Sequence, residues 1–358
     1  MMLRVLTYSE IDRQEWSRLV AESETGTWFQ SPEAYDFFAS QPELFDVFAV
    51  ALEALQGRAG VRPVLRAVCV GYVTREKSAI KQFFTRRAII IGGPCLASDL
   101  TDEETTQLMQ AVREQIGPKA IYIETRNFND YARWKAAFLQ AGFAYRPHLN
   151  FHIDTSSVEI VEANLGKSRK RDIRTTIREG VTVETVSGLV DERVEEFYRI
   201  LERLYRTKVK TPLFPLEFFL ALSRHRDARF LLTAYRGRII GGTVCVAFQK
   251  SPMSNLQSTN TTPAGVVYEW FACGEDGVYP HIFPSCYATY AGIRYAAEHG
   301  CSRFDMMGAG TPDEAYGVRE FKAKFGGQQV EHGRYVCVVK PLLYQLGRLG
   351  VKVLKRFT

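Results

Sequence analysis

Residues 304–327 read FDMMGAGTPDEAYGVREFKAKFGG. An apolar run comes first, and Phe304 to Met307 predicts one buried strand. Gly308 and Gly310 then let the backbone turn where a side chain would clash. Asp313 and Glu314 follow in a loop. Gly317 to Phe325 next brings Arg319, Lys322 and Lys324 beside Phe321 and Phe325, before Gly326 and Gly327 end the segment. Two readings are open: a strand-to-helix connection closing on a buried amphipathic turn, or one wall of a site.

Working outward, Pro284 opens a helix that Gly300 closes, and Val266 to Ala272 reads as the strand before it. Phe230 to Ala234 and Gly242 to Phe248 form an antiparallel hairpin across Arg236-Gly237. From Asp191 to Arg206, Val194, Phe197, Tyr198, Leu201, Leu204 and Tyr205 have the spacing of a core helix. The order helix, hairpin, strand, helix, strand matches one half of an N-acetyltransferase-like (GNAT-like) fold.

The N-terminal half has the same rhythm. Strand 2–7 leads to a helix over 9–22, and Ser31 caps a second helix with Pro32 at its first position. Strands at 45–52 and 64–73 flank a turn containing Gly57 and Gly60, and Ala88 to Ile91 runs into Gly92-Gly93-Pro94. A helix over 102–115, the strand IYIET and a last helix ending at Gly142 complete it. RAVCVGYV around Cys69 parallels GGTVCVAF around Cys245, which supports an internal duplication. The expected fold class is α/β with mixed (α+β) sheets. Two tandem GNAT-like domains, 1–150 and 151–340, would have the ligand cleft between them, followed by a basic amphipathic tail, 341–358.

At 358 residues, 46% hydrophobic and 24% charged, the chain is globular and long enough for two domains. A formal net charge of +6 suits an anionic ligand or a basic solvated surface. The seven cysteines are scattered, odd in number and free of Cys-x-x-Cys pairs, which argues for a reducing compartment and against a zinc site. His148 and His152 are placed to share one strand face, as surface histidines and not as metal ligands, so no metal is expected. The first residues lack the apolar core of a signal peptide, and no run reaches the roughly 18 apolar residues that span a bilayer; a cytoplasmic protein is expected.

No Gly-x-Ser-x-Gly elbow, Walker loop or dinucleotide fingerprint occurs. Group transfer between bound partners remains, which needs positioning, an acceptor for the amine proton and a donor to the developing oxyanion. Lys167, Arg171, Arg174 and Arg178 fall at i, i+4, i+7 and i+11 as one basic helical stripe, with Ile173 and Ile177 on an adjoining face to anchor it. Such a stripe faces either solvent or an anion, and an RNA-binding module is one reading of it. A coenzyme A pyrophosphate sits on backbone amides of a glycine turn at a helix N-terminus. The junction GEDGVYPHIFPS (274–285) lacks that glycine spacing, and its two prolines remove donors.

SRKRDIRTTIREGVTVE, TPLFP, YEWFACG and FDMMGAG…YGVREFKAKFGG together resemble the Fem family of non-ribosomal peptidyl transferases (FemAB-like), over about residues 150–340. TWFQS and GGP are fainter echoes upstream. The resemblance implies two tandem GNAT-like domains and an aminoacyltransferase. It would move an amino acid from aminoacyl-tRNA to an amine of a peptidoglycan precursor, with no cofactor of its own. The Phe-Lys motif falls on Phe321 and Lys322, and implies that Lys322 supports the oxyanion of the tetrahedral intermediate or holds the tRNA acceptor end.

Asp305 is proposed as proton acceptor, with a structural ion pair as its other reading. Tyr268 and Trp270 alternate on one strand face as stacking groups or as core aromatics. Lys208 and Lys210 stand where family members grip the precursor's phosphates. Tyr316, Arg319, Arg171 and Arg174 complete the expected substrate-binding set. The coiled-coil arm of some members is missing. An acyl-CoA-dependent N-acyltransferase acting on an amino sugar or peptide is the alternative. The tail reads as a docked helix with a basic end, or as a peripheral contact with the inner membrane surface where lipid-linked precursors reside.

Overall fold

The computed structural model describes residues 2–55, 63–76, 82–83, 85–186, 191–249 and 265–354. The turn expected at Gly57 and Gly60 lies outside the described residues, as do Lys355 and Arg356 of the tail. Two compact units are present: Met1–His148 with His332–Thr358, and Leu149–Glu331.

The first unit is built on β1 (Met2–Thr7), β2 (Phe45–Leu55), β3 (Val64–Thr74), β4 (Arg87–Gly92), β5 (Cys95–Leu96), β6 (Tyr122–Asn127) and β7 (Ala144–Arg146). The second contains β8 (Leu149–Asp154), β9 (Thr182–Val186), β10 (Ala228–Tyr235), β11 (Arg238–Phe248), β12 (Gly265–Gly274), β13 (Cys301–Asp305) and β14 (Gln328–Glu331); β15 (Arg334–Val338) returns to the first. The sheet orders are β1-β2-β3-β4-β6-β15-β7, with β5 on β3, and β14-β8-β13-β12-β11-β10-β9. Each sheet is mixed, with one parallel pair, β4–β6 and β12–β13. The strands β3 and β11, which carry the two parallel stretches, hold the same place in the two sheets, and Cys69 and Cys245 are both fully buried.

Residues 332–340, expected with the second domain, belong to the first unit. The reason is β15, which pairs β6 on one edge and β7 on the other and buries Tyr335 and Cys337 in the first core. Tyr335 stacks on Phe138 with ring centres 4.1 Å apart. The helix Pro341–Leu354 follows it, with Tyr344 against Tyr122 and with Leu342 and Leu346 exposed. Among the described residues, no helix is long and apolar enough to cross a membrane.

Local signals explain several helix starts. The Ser31 hydroxyl accepts the Ala34 amide with Pro32 at the first position, and Thr101 and Glu104 form a reciprocal cap on Asp102–Ile116. The first helix begins at Arg13, later than expected, because the Asp12 carboxylate takes the amides of Gln14 and Glu15. β9, β14 and the helix Leu216–Ser223 carry no pattern strong enough to have been expected.

The two units differ in the extent of their parallel pair. In the first, β4 and β6 stay paired along the whole of β4, from Arg87↔Tyr122 to Gly92↔Asn127. The neighbouring β3–β4 edge is filled by Gln30, whose amide nitrogen donates to Val70 O and Ile91 O, each at 2.9 Å, while its oxygen takes the Val70 amide at 2.8 Å. In the second unit, β12 and β13 pair only from Gly265↔Cys301 to Tyr268↔Asp305, and β12 runs on to Gly274. The parallel strands part there.

Candidate active site

β13 ends at Asp305, two residues short of the expected strand, because side chains capture the next amides. Asp305 Oδ1 accepts the Met307 amide at 2.8 Å, and Asn150 Oδ1 accepts the Gly308 amide at 2.8 Å. The turn this makes puts Met307 in the left-handed region at φ 53°. It is then laced to β8, with Ala309 N to Leu149 O at 2.7 Å and Leu149 N to Gly310 O at 2.8 Å.

That turn aims carbonyls at Lys322. The ammonium donates to Met306 O and, at 2.7 Å, to Gly308 O. A lysine has three N–H donors, so one remains for a ligand. Burial pulls the Lys322 pKa below its usual value, opposed by the charges of Glu269 and Asp305. A desolvated, fixed ammonium exerts a stronger field on a developing negative charge than one in water.

Phe321 lies on the same short helix, Gly317–Ala323, in edge contact with Phe325 at 5.3 Å. Arg169 fixes this helix. Its guanidinium stands 4.3 Å from the centre of the Phe321 ring and 5.1 Å from that of Phe325, and donates to Phe321 O at 3.4 Å. Gly166 N adds a bond to Lys324 O at 3.0 Å.

Asp305 is fully buried at 0% exposure. Burial pushes its pKa up, but His152, Arg303 and Asn150 outweigh that and hold it below the usual aspartate value. Asn150 Nδ2 donates to it at 2.7 Å, and His152 Nε2 is 3.1 Å from Oδ2. Oδ1 thus holds both Asn150 and the Met307 amide, while Oδ2 faces the His152 ring. His148 does not share its strand face with His152: it lies before β8 with Nε2 2.9 Å from Arg334.

Glu269 was missed by sequence reasoning. It is the first β12 residue beyond the last β12–β13 pair, only 6% exposed, and accepts from the Thr243 hydroxyl at 3.3 Å. Burial raises its pKa, with Lys322 opposing. A bulge adjoins it, since Val244 faces Phe271 and Cys245 faces Glu269, leaving Trp270 unopposed.

The other expected residues divide. Tyr268 is fully buried opposite Asp305 in the parallel register, a core position where burial raises its pKa. Trp270 is half-buried against Phe218 and Phe271, each at 5.5 Å. Arg319 is committed to its own loop, donating to Ala309 O at 3.0 Å and to Thr311 O, which leaves Tyr316 as the exposed group there. Lys208 is exposed on a π-helical turn, Tyr205–Val209, and the exposed Lys210 that follows it is left-handed at φ 55°. Arg171 and Arg174 are exposed on Lys167–Arg178, Arg171 beside Asp172 at 3.0 Å. Ile173 anchors this helix, whereas Ile177 is 47% exposed and anchors nothing.

The helix that would cradle a coenzyme pyrophosphate begins at Pro284, which has no N–H. The next amide, of Ser285, is 3.2 Å from Asp276 Oδ1. A Cβ on Gly274 would stand 2.4 Å from Ser285 N, so strand end and helix start are in contact. An anion at this helix start would meet a carboxylate where it needs donors.

The FemAB family model matches residues 261–352. FemX has the same fold with a TM-score of 0.65 at 13% identity, covering 97% of this chain and 99% of its own. A tandem GNAT protein from the clavulanic acid biosynthesis pathway matches at 0.53 and 11%, covering 94% and 99%. L-PGS from Bacillus licheniformis matches at 0.50 and 14%, covering 79% and 86%. No curated protein matches in sequence. The family's model thus falls on the stretch that contains Lys322, and the fold throughout is that of tandem GNAT-like proteins.

Proposed function

We propose that this protein transfers an aminoacyl group from aminoacyl-tRNA to an amine of a peptidoglycan precursor, forming an amide bond. The observation that carries the reading is the Lys322 ammonium, fixed by two backbone carbonyls where β12 and β13 part, with one N–H left for an oxyanion. The carboxylate at the Pro284 helix start supports an ester donor over acyl-CoA. Lys208, Lys210, Arg171 and Arg174 offer exposed cations for the phosphates of either substrate, and Tyr316 and Trp270 offer rings. The work would be done in the cytoplasm, at the membrane face for a lipid-linked precursor.

Charged tRNAs incubated with the protein and a nucleotide-linked or lipid-linked muropeptide should yield a precursor heavier by one amino acid. Lys322→Ala should lower kcat about 100-fold or more, the effect of losing one oxyanion donor. Transfer from acyl-CoA and from no aminoacyl-tRNA would overturn the reading.

A further inference from the structure

An amine attacking an ester must lose a proton, and the residues above leave its destination open. Asp305 Oδ1 is held by Asn150 and the Met307 amide, and its Oδ2 faces the His152 ring. Glu269 is the other carboxylate whose charge acts on Lys322. It stands on β12 just past the last residue paired to β13, beside a bulge, a feature that re-aims side chains in a strand. It interacts with the Lys322 charge without an ion pair forming between them, among the described residues. Its neighbours are the Thr243 hydroxyl and the buried Cys245 thiol on β11, the Thr289 hydroxyl on the helix Pro284–Glu298, and Lys322 on the helix Gly317–Ala323.

We propose that Glu269 takes the proton from the attacking amine, across the same gap in which Lys322 receives the oxyanion. The inference rests on the acyl-transfer reading. The amine nitrogen bonds to the ester carbonyl carbon, and the carbonyl electron pair moves onto oxygen beside the Lys322 N–H. An amine proton passes to the Glu269 carboxylate. Collapse re-forms the carbonyl and breaks the bond to the ester oxygen, which leaves as a hydroxyl by taking that proton back. Glu269 ends as it began, and the products are an amide and an alcohol. Burial suits this role, because a carboxylate with a raised pKa is a stronger base than one in water.

The test compares wild type, Glu269→Gln and Glu269→Asp in transfer from aminoacyl-tRNA, with kcat and KM across pH. The expected result is a fall in kcat of about 100-fold or more in Glu269→Gln at little-changed KM, the size of a lost acid–base group. The acidic limb of the kcat profile should vanish in that variant, and Glu269→Asp should recover part of the rate. Circular dichroism melting checks that each variant folds. Should Glu269→Gln fail to fold, the carboxyl resonance of Glu269 in wild type decides: it must titrate above the usual glutamate range, in step with kcat. Wild-type transfer with an unimpaired Glu269→Gln, or a carboxyl that titrates out of step with kcat, overturns this inference alone. Absence of transfer in wild type overturns the functional reading first and this one with it.

Discussion

Asn150 donates its side-chain amide to Asp305 Oδ1 at 2.7 Å, joining adjacent strands whose two side chains then each hold one amide of the turn beneath Lys322. The Asn150 oxygen also takes the Phe151 amide at 2.8 Å. One buried carboxamide thus fixes where the Met306 and Gly308 carbonyls point, and through them the ammonium.

Asn150→Ala leaves the Gly308 amide and one Asp305 bond unmatched in a buried place. Each lost partner of this kind costs about 1–3 kcal/mol, so urea unfolding should show a loss of about 2 kcal/mol or more. Because the turn loosens, kcat should fall while KM for the donor changes less. A variant that keeps full kcat would show that Lys322 holds its place without the turn.

The two buried carboxylates should give stability opposite dependences on pH. The folded-state pKa of Asp305 is lowered, so its contribution is present above the unfolded aspartate value and is lost as pH falls through the folded value. The folded-state pKa of Glu269 is raised, so its contribution is complete below the unfolded glutamate value and is lost as pH rises through the folded one. Asp305→Asn should therefore destabilise most at neutral pH and least in acid. Glu269→Gln should stabilise at neutral pH while it slows transfer. Urea midpoints measured from pH 3 to pH 8 check both signs.

Arg169 is buried over two phenylalanines and holds the helix that carries Lys322. Arg169→Ala removes the stacked cation, about 0.5–2 kcal/mol, and the bond to Phe321 O. Arg169→Lys should recover little, because an ammonium lacks the flat face that lies on the rings. Hydrogen exchange of 317–323 should quicken in both variants, and unchanged protection would count against this role.

The legible parts of the sequence were local ones. Ser31-Pro32, the Arg236-Gly237 turn and the helix end at Gly300 specify their structures within a few residues, and the Phe-Lys motif could be matched letter by letter. Asn150, Arg169 and Glu269 were not legible, because each acts on a partner far along the chain: Asn150 and Gly308 are 158 positions apart, Arg169 and Phe321 152. Asp305 was found, but its partners Asn150 and His152 lie on another strand far along the chain. β15 escaped notice because five residues carry too short an alternation to reveal which sheet they join.

Gln30 tests why the chemistry is assigned to the second unit. Its carboxamide occupies the β3–β4 edge through three bonds to Val70 and Ile91, and Trp16 Nε1 donates to its backbone oxygen at 2.7 Å. Gln30→Leu, of similar volume, would leave the Val70 amide and two carbonyls unmatched in the core, at about 1–3 kcal/mol for each group. A loss of several kcal/mol in urea unfolding is expected, with kcat of the remaining folded protein unchanged. If Gln30→Leu instead folds with full stability and loses transfer, the first unit takes part in the reaction, and the site at Lys322 is not the whole of it.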